Sequence, residues 1–334
     1  MPNVSIIIVN YNGKNLIRDC LKATEEQSFK DFEVIIVDNG SLDDSLFEIK
    51  KFLEETSIAP LVKLIALERN VGFSGGNLEG FKHADGEFVA LLNNDADPDK
   101  EWLGELVKAM ASDSTVGICA SKLVLHGGKI IDSAGDAYST SLKGFKRGEG
   151  EGAPLFNKRE YVFGACAGAA LYRRKMIEEI GFFDEDFFLI HEDTDLNFRA
   201  QLHGWRVIYV PNAIVYHKVR SSIGKMSPMA VYYTLRNSEF VKIKNIPLPL
   251  FLRCFPMFIL GMVSELIYFT MKHRQPILYF KAKTDVIRML PVMLKKRKRN
   301  LRIAKIDSKN LKKILTPVFE RNFLKNKLKK FVFG

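Results

Sequence analysis

The sequence predicts an α/β protein whose mostly parallel sheet is flanked by helices. Short, uninterrupted runs of Val, Ile, Leu and Phe recur through the first 92 residues, and amphipathic stretches of helical period separate them. Strands of a parallel sheet are buried on both faces, so they read as continuous rather than alternating apolar runs. Of 334 residues, 47% are apolar and 27% charged, which excludes a disordered chain or a small disulfide scaffold.

The apolar runs predict four strands, namely Val4–Val9, Glu33–Val37, Val62–Leu67 and Phe88–Leu92. Apolar residues recur at helical spacing after the first two strands: Leu16, Ile17, Cys20 and Leu21, then Leu46, Ile49 and Leu53. Ser41 is the expected cap of the second of these helices. Asp99, beside Pro98, marks the expected start of a helix over Glu101–Met110.

Polar residues follow three of the strands at the point where each ends: Asn10-Tyr11-Asn12, Asp38-Asn39-Gly40-Ser41 and Asn93-Asn94-Asp95. Any one of these groups could simply open a turn or cap a helix. In a parallel sheet, however, the carboxyl ends of the strands meet at one edge, and ligands bind there. Three such groups together predict a binding site.

A glycine-rich segment, Arg69–Asn77 (RNVGFSGGN), follows the third strand. Its spacing does not match the GxGxxG dinucleotide fingerprint. Its glycines are compatible either with an ordinary turn or with close approach of the backbone to a ligand.

A second polar cluster combines acidic and aromatic residues. Glu192, Asp193 and Asp195 precede a helical stretch, where acidic side chains complement the helix dipole. The preceding segment Phe182–Ile190 is strongly aromatic, and a carboxylate against an apolar wall can act as a base near neutral pH. His217 ends a further apolar run and is either structural or a ligand for Mn or Zn.

Eight segments in order resemble the family 2 glycosyltransferases of GT-A fold, and most closely their rhamnosyltransferase-like branch, which builds surface polysaccharides: SIIIVNYNG, FEVIIVDNGSLDDS, RNVGFSGGN, GEFVALLNNDADPDKEWL, GACAGAALYRR, GFFDEDFFLIHEDTDL, GWRVIYVPNAIVYH and YYTLRNSEFVKIK. The resemblance covers about Val4 to Lys244. It implies a GT-A catalytic domain over residues 1–244, followed by an amphipathic, basic helical region over 245–334.

The resemblance also implies an activity. It is the inverting transfer of a sugar, with rhamnose as a candidate, from a thymidine- or uridine-diphosphate donor to a polyprenyl-diphosphate-linked or glycan acceptor. Asp193 matches the family's catalytic base, and Glu192 is the competing candidate. Asn93-Asn94-Asp95 matches the family's Asp-x-Asp motif, although Asn93 replaces its first Asp. Asp95 and His217 would then hold Mg or Mn, more weakly because one negative charge is missing.

The same resemblance implies the residues of the donor site. Asp38 matches the carboxylate that accepts the imide N–H of uracil or thymine, and Val9 and Tyr11 match the residues that flank this base. The remaining donor-site residues lie at the same strand ends or in the glycine-rich segment: Asn39, Asn70, Gly72, Phe73, Gly76, Asn77, Asn93 and Asn94.

Charge is concentrated at the carboxyl end of the chain. Residues 272–334 contain 20 of the 50 Lys and Arg residues but three of the 39 acidic ones, so the preceding part is net acidic. The basic run Lys295–Arg299 and the lysines that continue to Lys330 favour an anionic membrane surface as partner. Nucleic acid is not expected as a partner, because no recognition motif of aromatic and basic residues is present.

A 24-residue apolar segment, Leu248–Met271, precedes the basic region. It is long enough to cross a hydrocarbon core of ~30 Å. Arg253, Pro256 and Glu265 interrupt it, and a charge at the bilayer centre costs about 2.5–3.5 kcal/mol. We therefore expect helices that lie in the membrane interface or pack on the catalytic domain; a buried core hairpin is the alternative.

The four cysteines are widely spaced and form no CxxC pair, and the first residues lack the basic and apolar regions of a secretory signal. We expect reduced thiols and a peripheral position at the cytoplasmic face of the cell membrane. A non-catalytic scaffold with the nucleotide-sugar fold is the alternative function.

Overall fold

The computed structural model describes residues 2–218 and 227–319. In this part of the chain the strands are β1 (Val4–Asn10), β2 (Phe32–Asp38), β3 (Val62–Ala66), β4 (Phe88–Leu92), β5 (Ala96–Pro98), β6 (Val116–Leu125), β7 (Ile131–Ser133), β8 (Asp136–Tyr138), β9 (Gly144–Lys146), β10 (Glu160–Val162), β11 (Ala169–Arg173) and β12 (Arg206–His217). The helices are α1 (Ile17–Glu25), α2 (Ser45–Glu55), α3 (Gly72–Lys82), α4 (Trp102–Ala111), α5 (Arg174–Ile180), α6 (Glu192–His203), α7 (Pro228–Asn245), α8 (Leu248–Ile267), α9 (Pro276–Arg302) and α10 (Ser308–Lys313).

Ten strands form one mixed sheet, along which eight lie in the order β10-β12-β6-β11-β4-β1-β2-β3. The half formed by β4, β1, β2 and β3 is entirely parallel, so the carboxyl ends of these strands lie at one edge. β11 runs antiparallel between β4 and β6, and β12 is parallel to β6. β5 pairs antiparallel with β12, and β7 pairs antiparallel with β6. β8 and β9 form a separate hairpin.

Two hydrophobic cores enclose the sheet, one on each face. Alternate residues of β1 enter different cores: Ile6 and Ile8 face one, and Ile7 faces the other. This explains why the strands appear in the sequence as unbroken apolar runs. The predicted α/β architecture with a mostly parallel sheet is confirmed, and the four predicted strands agree with β1 to β4 to within one residue at each end.

The expected cap of α2 is wrong. That helix begins at Ser45, and Asp44 occupies the cap position without a side-chain hydrogen bond. The Ser41 hydroxyl instead donates to Asp38 at 2.6 Å and accepts from the backbone N–H of Asn12 at 3.0 Å. Short polar side chains bond to nearby backbone groups. For Ser41 that group is the N–H of Asn12, just after β1.

The C-terminal helices share a third core with the sheet region of the molecule. Phe240 and Val241 of α7 pack with Phe198 and Leu202 of α6, and Leu250 and Cys254 of α8 belong to the same cluster. Helix α7 therefore lies between the sheet region and the helices that follow it.

Helix α8 buries one face only, through Leu250, Cys254 and Glu265. It continues through Pro256 and ends in a π-helical turn, Tyr268–Lys272. The span Leu248–Lys272 has the length and mean hydropathy (1.8) to cross a membrane, and 17% of its most apolar window is buried. The alternative of a buried core hairpin is therefore wrong for α8.

Candidate active site

A hydrogen-bond network joins the carboxyl ends of β1, β2 and β4. The Asn10 amide donates to Asp38 Oδ1 at 3.1 Å, and the Asn94 amide donates to Asn10 Oδ1 at 2.7 Å. Ser41 donates to both oxygens of Asp38. A carboxylate can accept about four hydrogen bonds, so Asp38 retains the capacity to accept one from a ligand although it is buried.

Asn39 and Asn70 hold the glycine-rich segment against this network. The Asn39 amide donates to Asn70 Oδ1 at 3.1 Å and to the Gly72 carbonyl at 3.0 Å, and its oxygen accepts from Val71 N–H. Gly72 has φ +79°, and a Cβ there would lie 2.4 Å from the Phe188 carbonyl oxygen. Only glycine fits this close approach between the start of α3 and the segment that precedes α6.

Two other predicted donor-site residues lie at the end of β1. Tyr11 is 38% exposed. Val9 contacts α3 at Gly76, where a Cβ would lie 2.7 Å from Val9 Cγ1. Asn77 and Phe73, in contrast, use their side chains inside the protein. The Asn77 amide donates to the Phe73 carbonyl, and the Phe73 ring packs on Phe183 at 6.1 Å.

Asp95 and His217 meet at the edge of the sheet, where β5 pairs with β12. His217 Nε2 lies 3.1 Å from Asp95 Oδ1, and His217 Nδ1 lies 3.0 Å from Asp132 Oδ2. Lys146 bonds to the same Asp132 oxygen at 2.8 Å. Burial lowers the pKa of His217, but the hydrogen bonds to Asp132 and Asp95 outweigh it and raise this pKa to about 9.

A divalent cation could replace the proton between Asp95 and His217. Two ligand atoms that each lie about 2.1 Å from an octahedral ion at right angles are about 3.0 Å apart, and the hydrogen-bonded atoms here are 3.1 Å apart. Binding would require the imidazole to lose its Nε2 proton. Asp132 supports the imidazole from behind, as carboxylates commonly do for metal-ligating histidines. The described residues contain no cluster of three or more His, Cys, Asp or Glu that could hold an ion, so further ligands would come from the donor or water.

Asn93 lies beside this pair and contributes no charge. Its backbone N–H donates to the Gly168 carbonyl at 2.8 Å. Its side-chain Oδ1 is buried and has no hydrogen-bond partner among the described residues, so an amide oxygen is available at the position where the family's motif has its first carboxylate.

Asp193 and Glu192, which begin α6, have different environments. Asp193 is partly exposed, and its oxygens accept from Ala167 N–H at 3.3 Å and Thr194 N–H at 2.6 Å. Glu192 is buried, and its Oε2 has no partner among the described residues. Burial and, second, the charge of Asp193 raise the pKa of Glu192 well above its usual value. Of the two, Asp193 is the accessible carboxylate.

Two hydrogen bonds connect Asp193 to the segment that contains Asp95. Ala167, which donates to Asp193, precedes Gly168, whose carbonyl accepts from Asn93 N–H. The two residues before β11 thus connect the N-terminus of α6 to the carboxyl end of β4. An accessible carboxylate, a possible cation site and a polar network at the strand ends therefore occupy one region.

Comparison with known proteins agrees with this arrangement. Residues 5–181 match the family model for glycosyl transferase family 2. The chain belongs to this family. The matched range includes the strand ends and the glycine-rich segment but ends before Asp193 and His217, so the pairing of these two residues with the site rests on the geometry given above.

The chain is also similar to named relatives and, in fold, to a solved structure. The O-antigen biosynthesis protein RfbC of Myxococcus xanthus is 28% identical over 70% of this chain, but the match covers only 18% of its own length. A dolichyl N-acetyl-α-D-glucosaminyl phosphate 3-β-D-2,3-diacetamido-2,3-dideoxy-β-D-glucuronosyltransferase of Methanococcus voltae is 25% identical over 70% of this chain and 72% of its own. The mannosyltransferase PcManGT of Pyrobaculum calidifontis, solved with GDP-Man and Mn2+, has the same GT-A fold, with a TM-score of 0.55 and 18% identity over 97% of this chain and 82% of its own.

In this family 2 chain the segment before α6 is strained, and α7 holds it in place. Phe188, Ile190 and His191 all have positive φ, between 62° and 72°, which is rare for a residue other than glycine. Nδ2 of the buried Asn237 amide lies 2.7–2.8 Å from the carbonyl oxygens of Phe187, Leu189 and Ile190, so its two N–H groups are shared among these three acceptors.

The neighbouring Arg236 strengthens this support. Its guanidinium donates to the carbonyls of Asp186 and Phe187 and to the side-chain oxygen of Asn237. Such strain persists only where surrounding contacts fix the backbone. We missed the role of Arg236 and Asn237 in the sequence, although both lie in the quoted segment YYTLRNSEFVKIK.

The aromatic run before α6 does not form the apolar wall that the sequence suggested for Asp193. Phe182 stacks on Phe183 at 4.5 Å, Phe187 packs on Phe240, and Phe188 stacks on Tyr233 at 5.3 Å. These rings fill the cores between α6, α7 and the sheet. Two carboxylates of this region are buried, Glu192 and Asp195, and Asp195 is paired with Arg199 and Lys244.

Proposed function

We propose that this protein is an inverting glycosyltransferase that moves a sugar from a nucleoside-diphosphate donor to an acceptor hydroxyl in the synthesis of a surface polysaccharide. The observation that carries the proposal is the position of Asp193. It is an accessible carboxylate joined through Ala167 and Gly168 to the strand end that bears Asn93 and Asp95. We further propose that residues 1–244 form the catalytic domain and 245–334 a membrane-associating region.

The proposed chemistry is a single in-line displacement. Asp193 takes the proton of the acceptor hydroxyl while that oxygen forms a bond to the anomeric carbon. The bond from this carbon to the diphosphate breaks on the opposite face, and its electron pair leaves with the nucleoside diphosphate. One base suffices and no covalent nucleophile is needed, so the configuration at the anomeric carbon inverts.

Negative charge develops on the leaving diphosphate, and Asp95 and His217 are placed to hold Mg or Mn against it. A bound divalent ion would stabilise this charge as a Lewis acid. Asp132 fixes the orientation of the His217 ring, and Lys146 donates to the same oxygen of Asp132. PcManGT, which shares the fold, was solved with Mn2+ and a nucleotide sugar.

For the donor we propose a thymidine- or uridine-diphosphate sugar. Asp38 would accept the imide N–H of the base, and the exposed Tyr11 ring would lie beside it. Rhamnose remains the candidate sugar from the family branch that the sequence resembles. The acceptor we propose is lipid-linked or a glycan; the M. voltae relative is named for a dolichyl phosphate-linked acceptor, and RfbC for O-antigen biosynthesis.

We also propose that α8 and α9 bind the cytoplasmic face of the cell membrane. Their outward sides expose large apolar residues: Leu252, Phe255, Leu260, Met262, Val263, Ile267, Ile277, Phe280 and Ile287. Glu265, a charge that interrupts the apolar segment, points inward and pairs with Lys143 and Lys283, both at 2.8 Å. Lys295, Lys298 and Arg299 are exposed on α9. The lysines from 325 to 330 lie outside the described residues.

The test is release of nucleoside diphosphate from a panel of thymidine- and uridine-diphosphate sugars, with Mn, with Mg and with a chelator. We expect metal-dependent release from one donor and its loss in Asp95→Ala. Asp97→Asn is the matched control, because Asp97 lies two residues further on and pairs with Lys218 at 2.9 Å. Absence of both turnover and donor binding would favour the non-catalytic scaffold instead.

A further inference from the structure

An apolar groove of about 290 Å³ lies between α7, α8 and α9. Its apolar lining includes Ile243 and Ile246 of α7, Phe251 and Phe258 of α8, and Leu290 and Leu294 of α9. Leu290 and Leu294 are also 37% and 47% exposed. The groove is therefore continuous with the exposed apolar side of α9, from which a hydrocarbon chain could enter.

Two cations, Lys242 and Arg297, line the same groove. The Arg297 guanidinium donates to the Ile243 carbonyl at 2.8 Å and has no carboxylate within ion-pair distance in the described residues. One carboxylate, Glu239, also lines the groove; it pairs with Lys242 at 2.9 Å and with Lys283 at 2.6 Å, and Lys283 pairs in addition with Glu265. Two cations and one carboxylate thus stand beside an apolar lining, and this net positive charge suits an anionic amphiphile.

The groove lies close to Asn237, the residue of α7 that supports the backbone of residues 187–190. Lys242 is five residues beyond Asn237 on α7, or about 7.5 Å along the helix axis. Four residues that line the groove, Ile243, Ile246, Phe251 and Phe258, belong to or pack against the third core, which also contains Phe198 of α6. The groove therefore borders the core that α6 shares with α7 and α8.

We propose that this groove binds the isoprenoid chain of a lipid-linked acceptor and that Arg297 and Lys242 contact its phosphate. This inference rests on the proposed function, because it assigns the lipid of the proposed acceptor to this groove. An isoprenoid phosphate combines a single apolar chain with an anionic head. Free phosphate lacks the chain, and a phospholipid carries two chains.

The experiment measures binding of farnesyl phosphate to the full chain by calorimetry. Leu294→Trp fills the groove from its exposed side, and Arg297→Gln removes the cation that lacks a carboxylate. We expect Arg297→Gln to weaken binding about tenfold, as loss of a charge-assisted hydrogen bond does. Leu294→Trp should weaken it about tenfold or more, because the indole takes up space that the hydrocarbon chain needs. Arg288→Gln on the same helix is the control, because Arg288 is exposed and pairs with Asp285; we expect its affinity to stay within about twofold.

Competition experiments distinguish an isoprenoid phosphate from its separate phosphate and isoprenoid parts and from a phospholipid. We expect inorganic phosphate, farnesol and vesicles of phosphatidylglycerol each to compete poorly with farnesyl phosphate. Unchanged affinity in Leu294→Trp would overturn the proposal, even if Arg297→Gln failed to fold, and so would equal competition by phosphatidylglycerol vesicles. Donor turnover by the wild-type chain is measured separately. Groove-dependent binding without turnover would contradict the proposed function alone, whereas turnover with groove-independent binding would contradict the groove alone.

Discussion

At the scale of single residues, the environment of each carboxylate distinguishes the two adjacent candidates for the base. A base must reach the acceptor and must be ionised before it can take a proton. Asp193 is accessible and accepts two backbone N–H bonds, whereas Glu192 is enclosed and its Oε2 atom lacks a partner in the described residues. The sequence alone could not distinguish Glu192 from Asp193. The direction of each side chain depends on where the helix begins, and that is known only from the structure.

Glu192→Gln tests this assignment and has a pH dependence of known sign. The pKa of Glu192 is raised in the folded state, so the folded protein holds its proton over a pH range in which the unfolded chain releases it. Wild-type stability therefore falls as pH rises through that range. We expect Glu192→Gln to be more stable than the wild type at pH 8, to differ less at pH 4, and to keep donor turnover within about threefold.

Thermal unfolding at the two pH values and a turnover assay check both parts of this prediction. A loss of turnover in Glu192→Gln as large as that in Asp193→Asn would make Glu192 the base. Glu185→Gln is the control, because Glu185 is an exposed carboxylate in the segment just before α6; we expect it to change neither stability nor turnover.

At the scale of elements, α7 acts on the site without bearing a proposed catalytic residue. Asn237 bonds three carbonyls of the segment that leads into α6, and this segment contains the residues of positive φ. A small displacement of a reacting group can lower the rate about 100-fold. Asn237 is thus a positioning residue, acting through the backbone of residues 187–190.

We expect Asn237→Ala to lower kcat about 100-fold while donor affinity changes little, because the strand-end network does not include α7. Its unfolding free energy should fall by about 1–3 kcal/mol, since buried carbonyls lose a donor. Thr234→Ala, on the same helix, is the control. Parallel loss of kcat and donor affinity in Asn237→Ala would point to general disruption of the fold rather than positioning.

The sequence predicted elements formed by local patterns and missed contacts between distant segments. β1 to β4 are recognisable because burial on both faces makes them continuously apolar. The support of His217 by Asp132 joins residues 85 positions apart, and the contact of Asn237 with Phe187 joins residues 50 apart. No local periodicity marks such pairs, so only the folded arrangement reveals them.

At the scale of the whole molecule, apolar and charged surfaces are separated. The sheet edge carries the polar network, while α8 and α9 expose an apolar side with basic residues near the end of α9. The charges of α8 do not disrupt its outward face: Glu265 pairs inward, and Arg253 bonds to Ser308 of α10. This arrangement is typical of helices that lie in a membrane interface.

We expect the protein to float with vesicles containing phosphatidylglycerol more than with neutral vesicles, and less as salt rises, because screening weakens attraction to anionic lipid. Leu252→Asp combined with Phe255→Asp should reduce flotation without unfolding the protein, because both side chains are exposed. Leu42→Asp, at an exposed residue after β2, is the control. Equal flotation of all three proteins would contradict a membrane role for α8.

The most direct test of the account compares turnover and donor affinity in Asp193→Asn. An amide of the same size keeps the geometry but cannot take the acceptor's proton. We predict that kcat falls by a factor of about 10²–10⁴, while donor affinity measured by calorimetry stays within about twofold of the wild type. Retained turnover, or an equal loss of turnover and donor affinity, would contradict the assignment of Asp193 as the base.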